Sequence, residues 1–366
     1  MHRIQWPGLV LLAAVAGTLM ASPVGAATLV YVGNAESNEV YVLRLDRASG
    51  DLELVEKVPI PGIDKPGIST PMSVSPDRRF LYVGTRGEPK IAAGFAIDPS
   101  SGKLTFVAAG PLADSLAYIS TDRTGRFLLG ASYPGHRVTV NPIGAPGRVL
   151  PPQQVLENYP NAHSIMADAA NRFVLVPTLG NDRVNQFAFD ATTGKLTPTN
   201  SPSAEAKPKA GPRHVVYHPN GKLVYVIAEL DATVYVFDYN AATADLKQKQ
   251  VVSALPANFQ GKPSAADLHI TPNGKFLYGS ERTSSTLAGF QVDPAAGTLT
   301  PIGSVPTEKQ PRGFGIDPSG RYLLAVGQLS HGLSSYSIDQ STGKLTKLRE
   351  YPMGKNPNWV EIIDLP

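Results

Sequence analysis

Apolar positions along this chain gather into short runs, each opened by one large apolar residue and preceded by a polar turn. The runs begin at Phe80, Phe127, Phe173, Leu223, Phe276 and Tyr322, and a seventh, Leu29 to Gly33, lacks the turn. The preceding turns carry Asp, Asn, Ser and Gly, as in Asn220-Gly221, Asn273-Gly274 and Ser319-Gly320; these residues cap the backbone or accept positive φ. Each run reads as a fully buried strand. After it comes a strand of alternating type, ending in Asp46, Asp98, Asp190, Asp238, Asp293 or Asp339. A turn then leads to Gly-x-Leu, at Gly50, Gly102, Gly194, Gly297 and Gly343, which opens a third strand. A further short strand, such as His214 to Tyr217, stands before each run.

Four short strands recur every 46 to 53 residues, and seven such units fill the chain. This pattern predicts an all-β fold, a seven-bladed β-propeller with four antiparallel strands per blade, forming one domain over residues 27–366. The third unit is degenerate: Arg137 to Asn141 lacks the terminal Asp, and Pro142 to Pro152 replaces the clean turn. Thr28 to Asn34 has no inner strand before it, while Asn358 to Ile363 is an inner strand with nothing after it. Pairing the two closes one blade from both chain ends and removes the open sheet edges.

The first 26 residues break the pattern. His2 and Arg3 precede an apolar stretch from Leu9 to Ala21, and Val24 to Ala26 offers the small residues a signal peptidase accepts. A cleaved signal peptide, residues 1–26, is expected, hence a periplasmic or secreted protein free of the membrane after cleavage. The chain has no cysteine, which excludes lipoprotein attachment and disulfide staples. The net charge of +3 is small and no basic run interleaves with aromatics, so no nucleic-acid partner is expected. A monomer is expected.

Candidate chemistry comes from the repeat register. Ten residues before each anchor stand Thr70, Ala117, His163, Arg213, Ala266 and Arg312, with Asn358 as the C-terminal equivalent. Six residues after each anchor stand Ala35, Arg86, Tyr133, Leu179, Glu229, Arg282 and Gln328. Both sets are predicted to ring one mouth of the central channel. Unlike the monotonous remainder of the repeat, they vary between blades. Several arginines around one carboxylate suit an anionic ligand, because Arg grips carboxylate or phosphate bidentately. The alternative is a solvated rim with local ion pairs. His214 and His269 alternate with apolar residues in inner strands, and no histidine spacing suggests a metal site; no metal or cofactor is expected. Gly-x-Ser-x-Gly, His-Glu-x-x-His, EF-hand and Walker patterns are absent from the sequence.

The run Ala210 to Asn220 (AGPRHVVYHPN), with Ala228 to Leu230, resembles bacterial propeller-type 6-phosphogluconolactonases. So do Ala265 to Gly274 with Arg282-Thr283, and Pro306 to Phe314 with Gly327-Gln328 and Ser330-His331. The likeness extends from about Leu29 to Val360, and the superfamily includes fungal carboxymuconate lactonizing enzymes. The resemblance implies a lactonase of sugar metabolism, a carboxylic ester hydrolase. Its catalytic residues would be His163, Arg213, Glu229 and Arg282, with Glu229 or His163 as base and the arginines on the oxyanion. Arg312, His214, Gln328, Arg86 and Tyr133 would bind substrate, a small anionic or polyhydroxylated lactone. An exported chain departs from the cytoplasmic habit of these relatives, so an unphosphorylated aldonolactone stands beside 6-phosphogluconolactone as substrate. A muconate-type lactonizing enzyme (cycloisomerase) and a non-catalytic binding propeller remain as alternatives.

Overall fold

A computed structural model describes residues 27–365; the expected signal peptide lies outside them. Among the described residues no helix is long and apolar enough to cross a membrane.

The anchors open strands as the repeat predicts. Phe80–Gly84, Phe127–Ser132, Phe173–Thr178, Leu223–Ala228, Phe276–Glu281 and Tyr322–Gly327 each begin at the anchor residue. Each is second in its sheet, between a channel-lining inner strand and the alternating strand, with the strand that follows the alternating one outermost. Seven antiparallel sheets result. Counting from the N-terminus, blade 1 contains Thr28–Asn34 and blade 7 ends with Leu345–Pro352. Blade 1 takes its inner strand from the C-terminus: Pro357–Asp364 runs antiparallel to Thr28–Asn34, with Thr28 opposite Asp364 and Val32 opposite Val360. In degenerate blade 3, Arg137–Gly144 pairs with both Arg148–Val149 and Gln154–Glu157, so the proline-rich stretch still supplies an outer edge.

Burial follows strand position. Leu223–Ala228 and Tyr322–Gly327 are buried at every residue, because neighbouring blades cover both faces. The outer strand Leu246–Ser253 is largely exposed. The repeated glycine has a packing reason beyond its turn. Gly297, at φ +71°, leaves room for the Leu223 anchor of the preceding blade, and a Cβ there would lie 2.5 Å from Leu223 Cδ1. Gly50, Gly102, Gly194 and Gly343 meet Tyr322, Leu29, Phe127 and Phe276 in the same way. Degenerate blade 3 keeps the device at Gly147, against Phe80. The turn glycine is therefore the socket into which the neighbouring blade's anchor fits.

This yields a paired test. Gly297→Ala should destabilise by about 1–3 kcal/mol from the left-handed backbone alone, and more from the contact with Leu223. Gly221 has the same backbone sign, φ +68°, but nothing within 4 Å of its missing Cβ. Urea unfolding should show Gly221→Ala as the milder of the two. Equal losses would mean that the socket is irrelevant.

Candidate functional site

Bulges aim the inner-strand residues at the mouth. In Pro212–Tyr217 the register jumps from Pro212 opposite Ala228 to His214 opposite Ile227, which leaves Arg213 as the extra residue. Arg312 is extra in Pro311–Ile316, as is Asn358 in the closing strand. In Ala265–Ile270 the irregularity spans Ala266 and Asp267. A bulge leaves one residue outside the ladder and turns consecutive side chains toward a common side. Arg213 and His214 can thus both serve the channel, against the strict alternation of a regular strand.

The predicted centre assembles. Arg213 Nε donates to Glu229 Oε2 at 2.7 Å, and Arg282 Nη2 lies 2.9 Å from Glu229 Oε1. Side-chain exposures of 1 % for Arg213, 18 % for Glu229 and 12 % for Arg282 exclude the solvated-rim alternative for this trio. Arg213 Nη1 also donates to the Ala266 carbonyl, and Arg282 Nε to the Ser264 carbonyl at 3.0 Å. Backbone carbonyls at the start of blade 6 thus hold both guanidiniums, that of blade 5 and that of blade 6 itself. Burial lowers the Arg213 pKa to about 10, with Glu229 opposing the shift. Burial alone would raise the Glu229 carboxyl; Arg213, Arg282 and Arg312 outweigh it and hold the group below its ordinary value.

Arg86 and Arg312 stand close enough to lower the His163 pKa, and each other's charge adds to the burial that drives Arg312 down. Arg86 Nε donates to Ser115 Oγ at 3.2 Å. Among the described residues neither Arg86 nor Arg312 has a carboxylate in ion-pair contact. The loop before Thr70 presses on the Arg86 backbone, and Gly67 permits it: a Cβ there would lie 2.2 Å from the Arg86 carbonyl carbon.

His163 is 3 % exposed, its Nδ1 is buried without a hydrogen-bond partner, and its ring lies edge-on to Tyr133 at 5.7 Å and 5.2 Å from His214. Burial, then Arg213, His214 and the other arginines, push its pKa well below the usual imidazole range, so it is neutral near pH 7. Beneath it, Tyr118, His214 and Trp359 meet across the channel, at 5.2 Å for Tyr118–His214 and 5.1 Å for Tyr118–Trp359. These residues come from three different blades, so they form a floor and the mouth is a cup.

Gln328 is the predicted residue that the structure ties elsewhere. Its amide donates to Asn356 at 2.8 Å and accepts from Gln310, bracing the seam between blade 7 and the closing strand. Sequence reading passed over the floor, although a signal existed. Nine residues before the anchors stand Tyr118, His214 and Asp267, with Trp359 in the closing strand. That register is as varied as the two beside it. Two residues further along, His269 and Glu361 occupy equivalent places. Among the described residues no group of three His, Cys, Asp or Glu could hold a metal ion.

Residues 24–362 match the family described as "Lactonase, 7-bladed beta-propeller". The chain belongs to that family. It is 43% identical over 289 residues to a 6-phosphogluconolactonase of Pectobacterium carotovorum, covering 79% of this chain and 84% of that protein. A 6-phosphogluconolactonase of Serratia proteamaculans is also 43% identical, with 79% and 85% covered. Among solved structures, the periplasmic gluconolactonase of Pseudomonas aeruginosa superposes with a TM-score of 0.83 at 27% identity, covering 93% of this chain and all of that one.

The trio's burial separates it from surface pairs such as Arg183–Glu205, whose side chains are 42% and 70% exposed. Glu205→Gln should cost less than about 1 kcal/mol. Glu229→Gln leaves two buried guanidiniums without an anion and should approach the roughly 3–5 kcal/mol of a broken buried pair. Guanidinium unfolding of both variants decides this; equal losses would show that Glu229 is not structurally coupled to the arginines.

Proposed function

We propose that this chain hydrolyses a sugar lactone to its hydroxy acid in the cup at the channel mouth. The observation that carries the reading is the contact of Arg213 and Arg282 with one largely buried carboxylate, Glu229, with Arg312 and then Arg86 beside them and without an ion-pair partner among the described residues. Such a cup carries a net positive charge in a partly desolvated place, which favours an anionic ligand and a developing oxyanion. The names of the relatives support lactone hydrolysis over ring closure of an unsaturated dicarboxylate.

The reaction follows from the groups present. Water adds to the lactone carbonyl carbon, and its proton passes to His163. Glu229 is a poor base, since Arg213 Nε donates to one oxygen, Arg282 Nη2 lies 2.9 Å from the other, and its pKa is lowered. The His163 ring is neutral and makes no hydrogen bond among the described residues, so it is ready to accept a proton. Arg213 Nη2 and Arg282 Nη1, which have no acceptor among the described residues, donate to the oxyanion. The tetrahedral intermediate then collapses, the ring C–O bond breaks, and the alkoxide leaving group takes the proton back from His163. Glu229 holds the two arginines at a fixed separation. Four guanidiniums repel a dication, so the reaction proceeds without one.

Arg86 and Arg312 take an anionic substituent on the substrate, a phosphate or a carboxylate. The segment before residue 27 and the periplasmic gluconolactonase neighbour support action outside the cytoplasm. There a lactone bearing a carboxylate is a chemically sufficient alternative to a phosphorylated one.

Two measurements test the proposal. In pH-stat assays of phosphorylated, carboxylated and neutral aldonolactones, the anionic substrates should show KM values at least about tenfold lower, from one bidentate Arg contact. No turnover of any lactone above the spontaneous rate would sink the reading. His163→Gln should lower kcat by roughly 10²- to 10⁴-fold, the usual span for a general base. The sign of the pH effect also follows. Neutral His163 is the active form and its pKa is depressed, so kcat should persist as pH falls through 6.5, the ordinary imidazole value, and be lost only further into acid. An acid limb centred at or above that value would assign the base elsewhere.

A further inference from the structure

One carboxylate under the cup floor has no part in the reaction just described. Asp267 belongs to the irregular stretch of the inner strand Ala265–Ile270 in blade 6, and its side chain is 13% exposed. Its Oδ1 lies 2.8 Å from His214 Nδ1 and accepts the Leu268 N–H at 2.9 Å. Its Oδ2 lies 3.1 Å from His269 Nε2 and accepts the Phe314 N–H at 3.2 Å. Both oxygens are thus gripped from two blades, and the carboxylate is a fixed point.

On the far side of the imidazole, His214 Nε2 lies 3.2 Å from Arg213 Nη1. A guanidinium nitrogen can only donate, so Nε2 must accept. The His214 proton therefore sits on Nδ1 and points at Asp267. The opposite tautomer would set an N–H against the Arg213 N–H, and an imidazolium would do the same. Burial and the Arg213 charge push the His214 pKa to about 4, which agrees with a neutral ring. The other Arg213 contacts, Nε to Glu229 and Nη1 to the Ala266 carbonyl, leave Nη2 free.

We propose that Asp267 is a positioning residue for lactone opening: it fixes His214 as the Nδ1–H tautomer, whose Nε2 lone pair holds Arg213 so that Nη2 faces the developing oxyanion. This rests on the hydrolytic reading above. The line Asp267–His214–Arg213 crosses from blade 6 to blade 5, which ties the aim of the arginine to the floor beneath it. Packing could explain why a ring stands between Tyr118 and Trp359. It does not explain a carboxylate held at both oxygens behind one ring nitrogen and an arginine before the other.

The test uses the full mature chain labelled with ¹⁵N-histidine, in wild-type and Asp267→Asn forms. Wild-type His214 should show the neutral Nδ1–H pattern at pH 7. Asp267→Asn can turn its amide NH2 toward Nδ1, which opens the Nε2–H tautomer; where that forms, its N–H turns Arg213 Nη1 away from the ring, so both tautomers should appear together with a released Arg213. Its kcat should fall on the order of 10- to 100-fold, as when the orienting partner of a functional imidazole is lost, with KM within about twofold, because Arg213 acts in the transition state. A wild-type Nε2–H tautomer, a folded Asp267→Asn protein with wild-type kcat, or a loss confined to KM would overturn the proposal. If Asp267→Asn fails to fold, the wild-type tautomer still decides. If the wild type opens no lactone, the functional reading fails, while the ¹⁵N spectra separately report whether Asp267 sets the ring.

Discussion

The site depends on ring closure. Each blade has a two-faced apolar middle, exemplified by the fully buried Leu223–Ala228, and needs a neighbour on both sides. Only a closed ring gives every blade two neighbours. The chain meets that demand by pairing its first described strand with its last, Thr28 against Asp364 through Val32 against Val360. Closure also fixes the width of the central channel. The contacts Tyr118–His214 and Tyr118–Trp359 span three blades that are joined only through the ring, and Trp359 itself lies on the closing strand. An opened seam between Thr28–Asn34 and Pro357–Asp364 would free an edge and also withdraw one wall of the floor.

The rigid frame makes an otherwise unfavourable charge cluster tolerable. Guanidiniums at Arg86, Arg213, Arg282 and Arg312 repel one another in a partly desolvated cup, and burial adds to the penalty, as the lowered pKa values of Arg86, Arg213 and Arg312 show. Glu229 compensates part of this, and carbonyls at Ser264, Ala265 and Ala266 compensate more. The residual positive potential is retained as binding capacity for an anion. A flexible loop would relax by splaying the charges into water. Strand ends seated between packed blades cannot, so the frame holds the arginines preorganised.

Much of this was legible in the sequence because propeller repeats align equivalent positions. Anchors, turn glycines and the closing pair follow from the periodicity, since each repeated residue answers one repeated packing demand, as Gly297 answers Leu223. The trio Arg213, Glu229 and Arg282 was visible because its positions depart from the monotony of the repeat. What escaped were features the periodicity does not encode. A bulge is one residue of extra length with no composition of its own, so the sequence placed Arg213 and His214 in one site without showing how consecutive strand residues both reach it. Asp267 hid for the same reason, one position past the register being compared. Gln328 shares the register of the trio, yet its amide is engaged by Asn356 and Gln310, which the register does not encode.

These facts explain why the cup can host a reaction of modest demand with few groups. An aldonolactone already opens in water, so the protein need supply little more than a held water, an acceptor for its proton and a donor for the oxyanion. The three needs fall on different layers of one structure. Bulged inner-strand residues bring Arg213 and Arg312, the ends of the anchor strands bring Arg86, Glu229 and Arg282, and the floor supports them from below. Each layer comes from a separate register of the repeat, and the layers meet at few points, such as His214 on Arg213 and Arg213 on Glu229. Among the described residues neither Arg86 nor Arg312 forms an ion pair with the trio's carboxylate, so a change at either leaves the Arg213–Glu229 and Arg282–Glu229 contacts themselves in place and acts on them only through its charge.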